Sequence, residues 1–116
     1  MTDEEGPRPR HQWIKDRDEE RLFAGWDGAR KFGRLLNPSN NPSKWDWNLV
    51  CLDGVRDFGR LAGWHGSEDT ARLAAKACED AYDAAMAGTL FGMTPEDVEA
   101  ILEHERFMKA RREGRQ

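Results

Sequence analysis

The stretch "DGARKFGRLL", residues 27–36, decides how this sequence is interpreted, because the chain contains it twice. Residues 53–62 read "DGVRDFGRLA", so both copies follow the pattern D-G-x-R-x-F-G-R-L. A chain of 116 residues is long enough for one domain with a modest core. We therefore expect the two copies to be related segments that pack against each other inside a single domain.

The composition is that of a folded protein outside the membrane. Hydrophobic residues make up 38% of the chain and charged residues 34%, and five tryptophans argue against disorder. No apolar run is long enough to span a membrane, and the polar N-terminus does not resemble a signal peptide. We expect a cytoplasmic protein with reduced cysteines, a disordered tail over residues 1–10, a helical domain over 11–112 and a basic end over 113–116.

The spacing of apolar residues predicts that both copies of the repeat are helical. Around the first copy these residues recur at intervals of four and three, which is one face of a helix: Leu22, Trp26, Ala29, Gly33 and Leu36. This pattern predicts a helix from about residue 12 to 36, followed by an Asn- and Pro-rich loop. The same spacing around the second copy predicts a helix from about residue 44 to 62, with these residues on one face: Cys51, Val55, Phe58 and Ala62.

Two further helices are predicted from their start signals. Ser67 followed by two acidic residues favours a helix over 68–87, because its hydroxyl can cap the first turn. Thr94 followed by Pro95 and two acids is the strongest start signal in the chain and predicts a helix over 95–112.

The expected fold is therefore all-α. No stretch alternates between polar and apolar residues for long enough to predict a strand. We expect a compact bundle of about four helices with disordered termini, in which 27–36 and 53–62 form an internal helix-pair repeat.

The sequence offers no recognisable catalytic or metal site. "HERFM", starting at His104, lacks the second histidine of an H-E-x-x-H zinc motif, and the two cysteines are not at zinc-finger spacing. Ser67 lies two residues after His65, but a catalytic serine normally follows a strand on a sharp turn. We predict that the protein is not an enzyme and uses neither a metal nor a cofactor.

The arginines of the repeat have two interpretations. Arg30 and Arg34 in the first copy, and Arg56 and Arg60 in the second, would lie four residues apart on one helix face. They could form twin clamps for a phosphate or carboxylate group. Alternatively they ring the crossing of two packed helices, where they would pair with acidic residues of the third and fourth helices.

Three tryptophans are the second set of candidate partner-binding residues. Trp45 and Trp47 are two residues apart, so a helix could not turn both of them toward its core. Trp64 ends the second predicted helix. Exposed tryptophan and arginine side chains often anchor protein interfaces. The alternative is that these tryptophans close a small core.

The charge of the chain is strongly segregated. Residues 68–105 contain ten acidic and two basic residues, and the chain then ends on a basic tail. Its positive residues are candidates for docking a partner or contacting nucleic-acid phosphates: Arg106, Lys109, Arg111, Arg112 and Arg115.

In style, the chain is similar to small accessory proteins of actinobacterial phages. The similarity lies in its preference for Arg over Lys, its many Ala and Trp residues and its ending "MTPEDVEAILEHERFMKARREG". This resemblance implies a protein that binds a host or phage partner and performs no chemistry. We therefore expect stoichiometric binding to another protein, in the concrete case modulation or inhibition of a host system. The alternatives are a nucleic-acid-binding accessory protein that uses the arginine pairs and the basic tail, or a virion assembly or chaperone component. Homodimer formation is left open.

Overall fold

The computed structural model describes residues 8–15 and 21–114. The described part is a mixed α/β domain with one sheet and two helices. The elements in chain order are β1 (Gln12–Lys15), β2 (Leu22–Asp27), β3 (Arg30–Leu36), β4 (Trp45–Leu49), a short 3₁₀ helix (Phe58–Arg60), β5 (His65–Glu68), α1 (Ala71–Met86) and α2 (Pro95–Gly114).

The five strands form one antiparallel sheet in the order β1-β2-β3-β4-β5, so each strand pairs with its neighbours in sequence. Helix α1 packs across β3, β4 and β5 on one face of this sheet. The prediction of an all-α four-helix bundle, and with it a purely helical domain over residues 11–112, is therefore wrong. Residues predicted as the first two helices supply strands β1 to β4 instead.

The first copy of the repeat is a β-hairpin, not a helix. Asp27 pairs with Arg30 across a two-residue turn, in which Gly28 has a φ of 61°. Asp-Gly before a strand is a strong hairpin signal, since glycine adopts the left-handed backbone of the turn at little cost. The helical spacing of the apolar residues around this turn is a coincidence, because a helix cannot continue through it.

A β-bulge after the turn determines which side chains reach the core. The register between β2 and β3 shifts between Gly25 and Trp26, so that one extra residue, Phe32, is accommodated in β3. Phe32 has no exposed surface and stacks on Tyr82 of α1, with ring centroids 4.5 Å apart. The next residue, Gly33, also faces α1, where an added Cβ would overlap Sγ of Cys78.

The second copy of the repeat has a different structure from the first. After Asp53 the chain makes a series of turns, passes through Asp57 with a φ of 53° and forms the 3₁₀ helix. Gly54 contacts α2 closely, since an added Cβ would lie 2.8 Å from the carbonyl oxygen of Ala100. Val55 and Leu61 are buried in the core. The predicted helix-pair repeat is therefore wrong, because neither 27–36 nor 53–62 is an α-helix.

Strand β4 explains the spacing of the tryptophans. Residues two apart on a strand share one face, and Trp47 and Leu49 on that face are buried against α1. Trp45 on the same face packs against Phe23 of β2. The helix predicted over 44–62 is wrong here because the relevant period is two and not 3.6.

The third and fourth predicted helices are confirmed as α1 and α2, with one start corrected. Thr70, not Ser67, caps α1, and its Oγ1 accepts a hydrogen bond from the Leu73 backbone N–H at 3.1 Å. Ser67 belongs to strand β5. Helix α2 begins at Pro95 as predicted, and Oδ2 of Asp97 accepts a 2.9 Å hydrogen bond from the backbone N–H of Thr94.

A buried carboxylate attaches the N-terminal strand to α1. Glu79 is 1% exposed and accepts hydrogen bonds from the backbone N–H groups of Arg10 and His11 and from Nε1 of Trp13, at 2.9 to 3.1 Å. These donors replace the water that a buried carboxylate loses. Residues 1–7 of the predicted disordered tail and residues 115–116 of the predicted basic end lie outside the described residues.

Neither of the two described helices is long and apolar enough to cross a membrane.

Candidate functional site

A depression on the described surface lies between β3, the segment that follows β4, and α2. Its volume is about 430 Å³. We call it the basic cleft, and it is lined by Ala29, Arg30, Lys31, Arg34, Val50, Cys51, Asp53, Ile101, His104, Glu105, Met108 and Lys109.

The basic cleft combines positive charge with apolar walls. Four cationic side chains line it, three from β3 and one from α2, against the two carboxylates of Asp53 and Glu105. Val50, Ile101 and Met108 supply the apolar part of the wall. A concave site that joins apolar walls to a few charged groups is the usual form of a binding site in proteins. The chemistry of this lining favours a ligand that carries both a negative charge and an apolar group.

A hydrogen-bonded network fixes the hairpin wall of the cleft. The hydroxyl of Tyr82 donates to Oδ2 of Asp27 at 2.6 Å and accepts from Nη1 of Arg30 at 2.5 Å. Nε of Arg30 donates to Oε2 of Glu105 at 2.5 Å, and Nη2 of Arg30 makes an ion pair with the same carboxylate. The network therefore connects the hairpin turn to α1 and α2 at once, and Arg30 positions the wall of the cleft.

The network also affects the chemistry of Tyr82. Burial and the hydrogen bond to Asp27 raise the pKa of Tyr82 to about 12, because both disfavour the phenolate. The phenol is therefore protonated at neutral pH and acts as a hydrogen-bond donor. Burial likewise raises the pKa of Cys51, which lines the cleft, to about 12. A protonated thiol is a weak nucleophile, so the cleft presents Cys51 as an apolar side chain.

The two predicted arginine pairs have different surroundings in the structure. Arg30 and Arg34 of the first copy both line the basic cleft. In the second copy Arg56 is exposed, and Arg60 donates to Oδ1 of Asp97 at 2.6 Å and to the carbonyl of Gly92 at 3.1 Å. One arginine of each copy thus pairs with an acid of α2, although the two copies do not form the packed helices of the architectural interpretation. Only the first pair reaches the cleft.

The three tryptophans lie apart from the basic cleft. Trp47 is 8% exposed, and its Nε1 lies 3.4 Å from Oε2 of Glu68. Trp64 packs edge-on against Phe58 and His65, with ring centroids 5.1 and 4.3 Å apart. Trp47 belongs to the hydrophobic core, and the other two candidates, Trp45 and Trp64, pack against it.

The basic tail is the C-terminal half of α2. Arg106, Lys109 and Arg111 are exposed along this helix, and Lys109 also lines the basic cleft. The side chain of Arg112 and the whole of Arg115 lie outside the described residues.

Sequence reasoning did not identify most residues of the cleft. Lys31 lies just after the hairpin turn of the first repeat copy, and Asp53 lies in the turns of the second copy. Val50, His104 and Met108 come from distant parts of the chain. The signal that could have located the first wall is Asp27-Gly28, since an Asp-Gly hairpin would have made residues 30–36 a strand. The wall of the cleft that α2 supplies depends on how this helix packs against the rest of the domain, and no local sequence pattern predicts that packing.

Within residues 8–15 and 21–114, no group of three or more His, Cys, Asp or Glu side chains is arranged to hold a metal ion. Comparisons with known proteins found no relative of this chain. No known family, no curated protein and no solved structure matches it.

Proposed function

We propose that this chain is a non-enzymatic cytoplasmic protein that acts by stoichiometric binding to another protein, and that an acidic segment of that partner docks in the basic cleft. The observation that carries the proposal is the lining of the cleft, which places four cations around apolar walls on a chain whose net charge is −4. Such local reversal of charge provides specificity and orients an approaching partner.

The composition of the cleft favours a protein segment over a simple anion. Val50, Ile101 and Met108 would contact an apolar side chain of the partner, while Lys31 and Lys109 would face its carboxylates. Methionine and arginine are enriched at protein interfaces, and Met108 is 38% exposed at the rim. The network of Arg30, Tyr82 and Glu105 holds these walls in place before binding, which lowers the entropy cost of association.

The proposal is tested by affinity capture from a host lysate with a matched pair of charge reversals. Lys109→Glu changes the cleft, whereas Arg56→Glu makes the same reversal on an exposed residue of the second repeat copy. We expect one partner to be enriched by the native chain and by Arg56→Glu, and to be lost with Lys109→Glu. Charge reversal within a docking site should weaken binding by at least tenfold, since buried interface charges cost about 2–5 kcal/mol when mispaired.

Two outcomes would contradict the proposal. Equal capture by the native chain and Lys109→Glu would exclude the cleft as the docking site. Loss of the partner with Arg56→Glu alone would move the site to the second copy of the repeat. Native mass spectrometry of the captured complex measures its stoichiometry, and a complex that turns over its partner would contradict the non-enzymatic part of the proposal.

Nucleic-acid binding is the second candidate, and it has its own observation. Arg106, Lys109 and Arg111 form an exposed basic stretch on α2 that could contact backbone phosphates. This candidate predicts a gel shift with random DNA or RNA at about 50 mM salt that disappears at about 200 mM salt. Absence of any shift at the lower salt concentration would eliminate it.

A further inference from the structure

The outward face of α2 is divided into an acidic and a basic half. On the acidic half a shallow depression of about 300 Å³ is lined by Pro95, Glu96, Glu99, Ala100 and Glu103. All three glutamates are exposed. Positions four and seven residues apart lie on the same side of a helix, so the face continues from Glu103 to Phe107 and from there to Arg111.

The basic half of the same face carries an exposed aromatic anchor. Phe107 is 57% exposed, which is unusual for a phenylalanine on a surface helix. The guanidinium of Arg111 lies over its ring, 6.0 Å from the centroid. Arg106 is exposed beside it. The two halves are thus complementary: one offers a depression rimmed by carboxylates, and the other an aromatic ring flanked by cations.

We propose that this face of α2 binds a second copy of the chain, with the two α2 helices antiparallel. In that arrangement the acidic half of each helix faces the basic half of the other, so every contact occurs twice about a twofold axis. In two antiparallel helices related by a twofold axis, the residue numbers of positions that face each other have a constant sum. If Phe107 is placed opposite Ala100 of the second copy, Arg111 therefore lies opposite Glu96 of the second copy. Arg106 then lies within one turn of Glu103 of the second copy.

The outward face is separate from the basic cleft. Ile101, Glu105 and Lys109 line the cleft from the opposite side of α2, and Ile101 is 2% exposed in the core. Self-association through Phe107 therefore leaves the cleft accessible, and the dimer would present two clefts to its partners. A helix of 20 residues is about 30 Å long. One helix pair buries less area than a standard interface, so we expect a weak dimer that forms as concentration rises.

The charge pattern permits a decisive exchange experiment on the full chain. An acid-reversed variant carries Glu96→Lys, Glu99→Lys and Glu103→Lys, and a base-reversed variant carries Arg106→Glu and Arg111→Glu. Each variant alone places like charges opposite each other and should sediment as a monomer of about 13.3 kDa. Mixed together, they restore opposite charges at both symmetric contacts and should form a heterodimer. Sedimentation velocity over a concentration series measures this, with the native chain expected to approach twice the monomer mass.

Two single-site variants test self-association separately from folding and from the proposed function of the basic cleft. Phe107→Ser removes only the exposed anchor and should reduce self-association at least tenfold, with an unchanged circular dichroism spectrum. Lys109→Glu changes the cleft and should leave the dimer intact, so failure of the cleft proposal does not affect this one. A native chain that remains monomeric at every concentration would overturn the proposal. So would a native dimer whose two reversed variants do not associate when mixed.

Discussion

The two copies of D-G-x-R-x-F-G-R-L share identical residues at seven positions and no secondary structure. In the first copy the Asp-Gly step makes a tight hairpin, and the following residues pair with β2. In the second copy the same step begins a run of turns that ends in a 3₁₀ helix. The difference arises from available partners. Strand β4 pairs with β3 on one edge and β5 on the other, so no strand edge beside it is open for residues 55–62.

Matched positions in the two copies also serve different purposes. Gly28 is required for its backbone, since its φ is 61° and a side chain there would meet nothing within 4 Å. Gly54 is required for space, because a Cβ would lie 2.8 Å from the Ala100 carbonyl oxygen. The lesson is that one residue type at one motif position can satisfy unrelated physical demands.

Among the matched positions of the two copies, the phenylalanines should give the largest difference in stability. Phe32 has no exposed surface and stacks on Tyr82, whereas Phe58 is half-buried and packs edge-on against Trp64. We expect Phe32→Ala to lower the free energy of unfolding by about 3–5 kcal/mol. Phe58→Ala should cost roughly 1–1.5 kcal/mol, the value for a half-buried aromatic side chain. Urea unfolding measures both, and equal losses would show that the two copies contribute equally to the core.

The second glycine of the pattern should give the next largest difference in stability between the two copies. A Cβ at Gly33 would overlap Sγ of Cys78 and lie 3.2 Å from the Asn48 carbonyl oxygen, while a Cβ at Gly59 would meet nothing within 4 Å. We expect Gly33→Ala to destabilise the fold by about 1–3 kcal/mol, as overpacking does. Gly59→Ala is the matched control and should be neutral or slightly stabilising. A neutral Gly33→Ala would mean that α1 can shift away from β3 without loss.

The turn glycine of the first copy should have a smaller effect that depends on the replacement. Gly28→Ala forces an alanine into a left-handed conformation and should cost about 1 kcal/mol. Gly28→Asn should cost less, since asparagine tolerates that conformation. Thermal unfolding of the two variants compares them directly. If both lose the same stability, the turn has some other requirement than backbone conformation.

The arginine of the second copy should give the smallest effect, and it should depend on pH. Arg60 lies against Asp97, and this pairing lowers the pKa of Asp97 below its usual value of 3.8. A lowered carboxyl pKa stabilises the fold above that value and is lost as the pH falls through the folded pKa. We expect Arg60→Ala to cost about 0.5–1 kcal/mol at neutral pH. The difference from the native chain should shrink as the pH falls below 3.8 and through the lowered pKa of Asp97, which unfolding measured over an acidic pH series would show.

The sequence was informative wherever a local signal was sufficient. Thr94-Pro95 placed the start of α2 correctly, because a capping residue and a proline act within one turn. The helix predicted over 68–87 was also confirmed as α1, although its start was three residues too early. The strands were not predicted, because the apolar residues around Asp27 follow a helical spacing although Asp27-Gly28 forms a hairpin turn.

The candidate site was predicted only in part, for a related reason. Arg30, Arg34 and Lys109 were identified as charged candidates, and all three line the basic cleft. Their apolar neighbours Val50 and Met108 could not be associated with them from the sequence. Residues from β3, the segment after β4 and α2 meet only when the chain has folded, and apolar contacts leave no local motif.

The sequence by itself determined the loop after β3, the start of α2, the approximate extent of the two helices and the separation of acidic from basic residues along α2. These features depend on the backbone preferences and charges of a few neighbouring residues. The tertiary structure alone decided that one copy of the repeat became a hairpin and the other an irregular loop. A strand needs a partner edge, and where such an edge remains open depends on the whole sheet.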